Sequence, residues 1–214
     1  MSMPKSFIGA NGMVITSVPG GASPRDTTAC ALPSGMKEHI LAQPGFPHSI
    51  PSPTSPAHCI MLVKGAGLGM YATRPIGAGE VIFAERALVI TPQSIIVVPV
   101  SPDALGTRED VAKRRAKYRK ELMAMLLDRM SPENAAAYRA LVNSHMNDGY
   151  GPLAEIFDTN SWQISIAEMR KAILGHLGNP LTNISGVCDT LSRINHRHVL
   201  APLHNPEERA GATF

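Results

Sequence analysis

The chain has little cysteine, little net charge and no long unbroken apolar run, and each shortage removes a class of protein. Cys30, Cys59 and Cys188 are odd in number and widely spaced, so they build neither a disulfide framework nor a Cys-x-x-Cys metal knuckle. A reducing, intracellular setting, nucleus or cytoplasm, is the expectation. A net charge of +3 and a pI near 8.9 fall short of what a protein held mainly by phosphates carries, so a nucleic-acid partner is not expected. The most apolar region, Ala87 to Val100, is broken by Pro92, Gln93 and Pro99, and the first residues show no basic start followed by an apolar run. Neither a membrane span nor a secretory signal is expected. No internal repeat is present.

What remains is 214 residues of which 44% are apolar, enough for one ordinary domain with a core plus some unfolded sequence. Residues 1 to about 56 hold nine of the eighteen prolines and five charged residues, with runs such as Pro51-Ser52-Pro53 that favour extended, unpaired backbone. This stretch is expected to be a disordered leader, with Val14, Ile15 and Ile40 as apolar positions able to dock. From Cys59 the pattern changes to short apolar segments between glycine-rich turns: Cys59–Val63, Val81–Phe83 and Ser94–Val98 read as strands.

The middle of the chain reads as helical. Thr107-Arg108-Glu109-Asp110 has the oxygen-bearing residue and acidic partner of a capping box, followed by Tyr118, Leu122, Met125 and Leu126 on one buried face. Ser131-Pro132-Glu133 supplies a cap, a first-turn proline and an early acid for a second helix, with Tyr138, Leu141 and Val142 facing inward. A third is expected from Ser165, with Ile166, Met169, Ile173 and Leu177 on one side. Strands, a helical insert and a return to irregular sequence make an α+β pattern.

The glycines from Gly65 to Gly69 do not fit a dinucleotide fingerprint, which must open a helix, because Pro75 and two further glycines follow within ten residues. They do not fit a P-loop either, since no Gly-Lys-Ser/Thr ends them. A tight hairpin is what the glycines alone imply. The longer stretch Gly67-Leu68-Gly69-Met70-Tyr71-Ala72-Thr73-Arg74, the turn Gly77-Ala78-Gly79 and then Glu80-Val81-Ile82, with Glu85 and Leu88 beyond, resembles the opening of a SET domain, the fold of protein lysine methyltransferases.

A second segment, Gly186 to His196, resembles the same family through an aliphatic lead-in followed by Ser192-Arg193-Ile194-Asn195-His196. A third, Glu155 to Ser161, resembles a stretch that in the fungal-type and MYND-associated SET proteins ends in an asparagine near the cofactor, here Asn160. The resemblance implies small β-sheets of the β-clip kind with a helical insert at about 102–180, in an incomplete SET domain spanning 57–214. It implies S-adenosylmethionine as cofactor, with Gly67, Leu68, Gly69, Met70, Asn160, Asn195 and His196 as cofactor-binding residues, and a lysine-bearing protein as substrate.

After His196 the family's Ser-Cys step is replaced by Arg197-His198, and no tyrosine occurs beyond Tyr150, whereas the family uses a late tyrosine to line its lysine channel. Displacement at a sulfonium needs control of approach and desolvation, and a neutral lysine, more than covalent help. Weak or absent methyl transfer is therefore expected of this chain, with a non-catalytic SET-derived interaction module or a truncated product as the alternative and no catalytic residue assigned. Cys188, His196, His198 and His204 lack the usual zinc spacings, so no metal is expected. Lys113 to Lys120, with six basic residues in eight, reads as the solvated face of a helix balanced by Glu109, Asp110 and Glu121, with a nuclear-localisation or nucleic-acid patch as the alternative.

Overall fold

The structure is a computed structural model, and it describes residues 7–8, 13–19, 26–47, 50, 53, 55–63, 67–92, 106–146, 148–164 and 184–194. Among the described residues, twelve elements of strand and α-helix follow in the order β1 (Phe7–Ile8), β2 (Met13–Val18), β3 (Thr28–Pro33), α1 (Met36–Leu41), β4 (His58–Val63), β5 (Gly67–Ala72), β6 (Val89–Pro92), α2 (Arg108–Asp128), α3 (Pro132–Arg139), α4 (Pro152–Asn160), β7 (Trp162–Ile164) and β8 (Ile184–Val187), and the 3-10 turn Leu191–Arg193 comes last. The chain divides into two compact units, residues 1–50 with 85–189, and residues 51–84 with 190–214. The mixed α+β class is as expected.

The first unit holds a six-stranded sheet in the order β1-β2-β3-β6-β8-β7. All its pairings are antiparallel except β3 with β6, where Ala29 lies opposite Val89 and Cys30 opposite Ile90. Every residue of β3 is buried, which requires cover on both faces. Alternation along the strand divides its side chains. Ala29 and Ala31 join Met13, Ile15, Val89 and Val187 in a core that Leu122, Met123, Leu126 and Phe157 complete from the helices. Cys30 and Leu32 join Val18, Met36 and Ile184 in a smaller cluster on the opposite side.

The expected leader is thus corrected. Over residues 13–18 and 28–41 it forms β2, β3 and α1, tied down by side chains from elsewhere in the unit. The Arg129 guanidinium donates to the Ile15 carbonyl at 3.3 Å and the Asn134 amide to the Thr27 carbonyl at 3.2 Å. Prolines hid these strands: they flank them and Pro33 ends β3, while Met13-Val14-Ile15-Thr16-Ser17-Val18 between them is proline-free and rich in β-branched residues. Small Ala and Cys side chains in β3 give no alternation signal, although each is buried.

The helical expectations divide. Helix α2 begins at the capping box, with the Asp110 N–H donating to Thr107 Oγ1 at 3.2 Å and the Thr107 N–H to the Asp110 carboxylate at 2.9 Å. Helix α3 begins at Ser131, whose hydroxyl accepts from the Asn134 N–H at 3.1 Å, with Pro132 in the first turn. Leu122 and Leu126 are buried, with Tyr118 and Met125 packed at the edge. Tyr138 is fully buried and its hydroxyl donates to the Leu153 carbonyl at 2.8 Å; Val142, by contrast, lies past the end of α3 and is exposed. Helix α4 lies within the expected helical insert, at a position where no separate helix start is read from the sequence. The helix expected from Ser165, the strand at Ser94–Val98 and the site residues Asn195 and His196 lie outside the described residues.

The second unit is built on a hairpin. β4 and β5 pair antiparallel from His58 opposite Ala72 to Val63 opposite Gly67, and form a sheet of their own. Val81–Phe83 is a correction: it forms no strand, and Phe83 instead packs its ring on His58 with centroids 4.9 Å apart. Gly77 and Gly79 make the expected turn.

Candidate functional site

Within the second unit, four of the sequence-derived cofactor residues lie consecutively on β5. Gly67 has φ of +74°, a left-handed backbone that residues with a Cβ adopt at a cost of roughly 1–2 kcal/mol. Gly69 is buried, Met70 half-buried and Leu68 exposed. A side chain at Gly67 is strained, so that position favours glycine for a physical reason. The 3-10 turn Leu191–Arg193 packs against β5 in the same unit, and Asn195 follows it by two residues in sequence.

The way out of β5 is fixed by polar contacts. The Thr73 N–H donates to the Ala57 carbonyl at 3.0 Å and its hydroxyl to the Pro56 carbonyl at 3.0 Å, which carries the hairpin one residue further. The Arg74 guanidinium then pairs with the Glu80 carboxylate. Glu80 also accepts the Gly77 N–H at 3.0 Å, while its own N–H donates to the Gly77 carbonyl at 3.1 Å. The Arg74 hydrogen bond, helped by the Gly77 N–H, holds the Glu80 carboxyl below its usual range. The turn is therefore closed by one acidic residue through both its side chain and its backbone.

Asn160 stands elsewhere. It ends α4 in the first unit, is buried, and its amide donates to the Val142 carbonyl at 2.7 Å and the Ile156 carbonyl at 2.8 Å. Both amide hydrogens are committed to backbone, so its side chain joins the end of α4 to the segment after α3. That is the capping role asparagine commonly takes. Alongside it, Glu155 is buried and accepts from the Asn143 amide at 3.0 Å.

Two thiols are held in their protonated form. Burial pushes the Cys30 thiol up to about 12, and its hydrogen bonds to the Thr28 carbonyl at 3.4 Å. Burial, with the Glu85 carboxylate adding to it, pushes Cys188 up to about 12 as well. Both thiols stay protonated at neutral pH and are poor nucleophiles. Among the described residues no group of three His, Cys, Asp or Glu side chains could hold a metal ion.

The basic stretch of α2 splits into two roles. Lys113 pairs with Glu109 at 2.7 Å and Lys117 approaches Glu121 at 3.9 Å, both along one exposed face. Arg119 turns inward, pairs with Asp158 and lies over the rings of Tyr150 and Phe157 at 5.5 and 5.9 Å. Burial raises the Asp158 carboxyl even so, because the loss of water outweighs the pull of Arg119. No described helix is long and apolar enough to cross a membrane.

Sequence reasoning missed one concave feature. A cleft of about 360 Å³ opens on the first unit between β3, α1 and the segment entering β6. Most of its wall comes from residues assigned to the leader, and no residue pattern in that stretch marks a pocket. No family model matches the chain, and neither a curated protein nor a solved structure shows significant similarity to it.

Proposed function

We propose that this chain is a SET-related domain of the β-clip kind whose second unit binds S-adenosylmethionine, and whose activity class is methyl transfer to a protein lysine. The observation that carries the proposal is the packing of the 3-10 turn Leu191–Arg193 against β5 within one unit. Two segments more than a hundred residues apart in sequence, each with its own likeness to the family's cofactor-binding steps, thereby lie side by side. The left-handed Gly67 supports it further, since a backbone that must approach a ligand closely favours positions where a side chain is strained.

The cofactor would supply an activated methyl group on a sulfonium. The chain's own part is to bind and orient it: Gly67 to Met70 present backbone along one strand, and Asn195 and His196 follow the turn that packs on that strand. Transfer also needs a channel that desolvates the lysine amine, and the Arg197-His198 sequence departs from the family's pattern where that channel begins. This chain alone therefore binds cofactor and transfers methyl groups weakly or not at all. Its target is a lysine-bearing protein, in the nucleus or cytoplasm.

A non-catalytic interaction module is the second reading, favoured by the apolar side chains the hairpin leaves in solvent, Leu62 at 79% and Met61 at 48% exposure. Calorimetric titration with S-adenosylmethionine, paired with a radiolabelled methyl-transfer assay on histones and other basic proteins, separates the outcomes. Saturable binding with little transfer is expected. Robust turnover overturns the weak-transfer part, and no binding overturns the cofactor site.

A further inference from the structure

The cleft of the first unit exists because the two faces of its sheet are covered unequally. One face is packed by side chains of α2, α3 and α4, whereas the other meets the six-residue α1, only about 9 Å long at 1.5 Å per residue. Lys37 ties α1 to the sheet by donating to the buried Thr16 hydroxyl at 2.9 Å, so the helix is fixed in place and the gap beside it is not closed by a small shift. The floor is Cys30 and Leu32 of β3, the walls are Met36 and Ile40 of α1 and Ile90 of β6, and His39 and Gln43 stand exposed at the rim.

The geometry points to a binding site for an uncharged, largely apolar small molecule with one hydrogen-bonding end. The volume of about 360 Å³ falls at the lower end of the roughly 300–1,000 Å³ typical of small-molecule sites. The lining chemistry sets the class. Aliphatic and sulfur side chains make the floor, and the two formally charged residues in the wall, Glu85 and Arg86, cancel. An ionic ligand would give up its hydration for a wall with no net opposing charge, whereas a neutral one gives up only apolar hydration. The Cys30 thiol, kept protonated by burial, adds a soft apolar contact without charge. The polar end of the ligand then lies at the rim, where the Gln43 amide and the His39 ring approach each other at 3.3 Å. This site lies wholly in the first unit and is independent of the cofactor reading.

The test uses 1-octanol as probe and octanoate as its charged counterpart, followed on the full chain by the ¹³C-methyl signal of Met36, assigned through Met36→Leu. Octanol is expected to shift that signal saturably and to bind more tightly than octanoate at pH 7. Ile40→Trp, which fills the interior, and Gln43→Trp, an exposed change at the mouth that leaves the core intact, are each expected to weaken binding by about tenfold or more. No saturable shift at Met36 overturns the site. So does octanol binding that survives Gln43→Trp together with a folded Ile40→Trp, and tighter binding of octanoate overturns the assignment of an uncharged ligand.

Discussion

The unit formed by residues 1–50 and 85–189 and the unit formed by residues 51–84 and 190–214 handle their apolar side chains in opposite ways. In the first, a sheet and three helices enclose Tyr138, Phe157, Leu126 and Met123 almost completely. In the second, Ala57 is the one buried apolar side chain other than glycine among the described residues, and Ile60, Met61, Leu62, Leu68, Tyr71 and Val81 are exposed. Stability is therefore concentrated in the first unit, while the stretch with the most specific likeness to a cofactor loop is in the second. The difference teaches that the segment proposed to meet a cofactor and the deep core need not coincide. The hairpin carries glycines and open surface, and these contribute little to folding.

The largest effect that tests this contrast is expected from Phe157→Ala, which removes a fully buried ring and should lower the unfolding free energy by about 3–5 kcal/mol in a denaturant titration. Leu62→Ala on the hairpin should change it by less than about 0.5 kcal/mol. Comparable losses from the two would break the comparison.

Asn160→Ala comes next. Its amide satisfies two backbone carbonyls in a buried setting, so its loss should cost about 1–3 kcal/mol in the same titration. S-adenosylmethionine affinity in the folded fraction should hold. A variant of unchanged stability and lost cofactor affinity would return Asn160 to the role the resemblance implies.

Gly67→Val should cost about 1–2 kcal/mol through its left-handed backbone, an effect confined to the hairpin and read as faster amide exchange along β4 and β5. Unchanged exchange there would show that the turn tolerates a side chain.

The smallest effect concerns pH. The Asp158 carboxyl is raised by burial, so the proton it takes up favours the folded chain in acid, and that contribution is lost as pH rises through its raised folded value. Glu80 has the opposite sign: its carboxyl is lowered by Arg74 and Gly77, so its contribution is present at neutral pH and fades as pH falls through the lowered value. Across the carboxylate range, Asp158→Asn should flatten the loss of stability on raising pH, and Glu80→Gln should flatten the loss on lowering it, the latter only at the β5 turn. Thermal melts of Asp158→Asn and amide exchange at the β5 turn of Glu80→Gln, each from acid to neutral pH, read the two slopes, and slopes of the same sign would contradict the assignment.

Much of this was legible in the residues, and what was not has a physical reason. The caps at Thr107 and Ser131 are local chemistry, fixed within four residues, so they could be read directly. The hairpin of β4 and β5 follows from apolar runs on either side of glycines. β2 and β3 could not be read because their pairing is with each other and with β6, some sixty residues beyond β3, and because the prolines around them dominate the composition. Helix α4 has Pro152 in its first turn and Gly151 before it, ordinary signals for a helix start, but Gly149, Gly151 and Pro152 together equally signal a loop. The hydrogen bonds of Asn160 to the Val142 and Ile156 carbonyls are not legible in the sequence, because Val142 lies 18 residues away. The cleft was illegible for the same reason as β3, since its floor is built by long-range pairing.

The most direct test of the central claim is amide chemical-shift mapping of the ¹⁵N-labelled chain during titration with S-adenosylmethionine. Saturable perturbations clustered at Gly67 to Met70 and at Leu191 to Ile194, with the first unit unaffected, are the expected result. No saturable perturbation at either segment, or perturbations confined to the first unit, would contradict it.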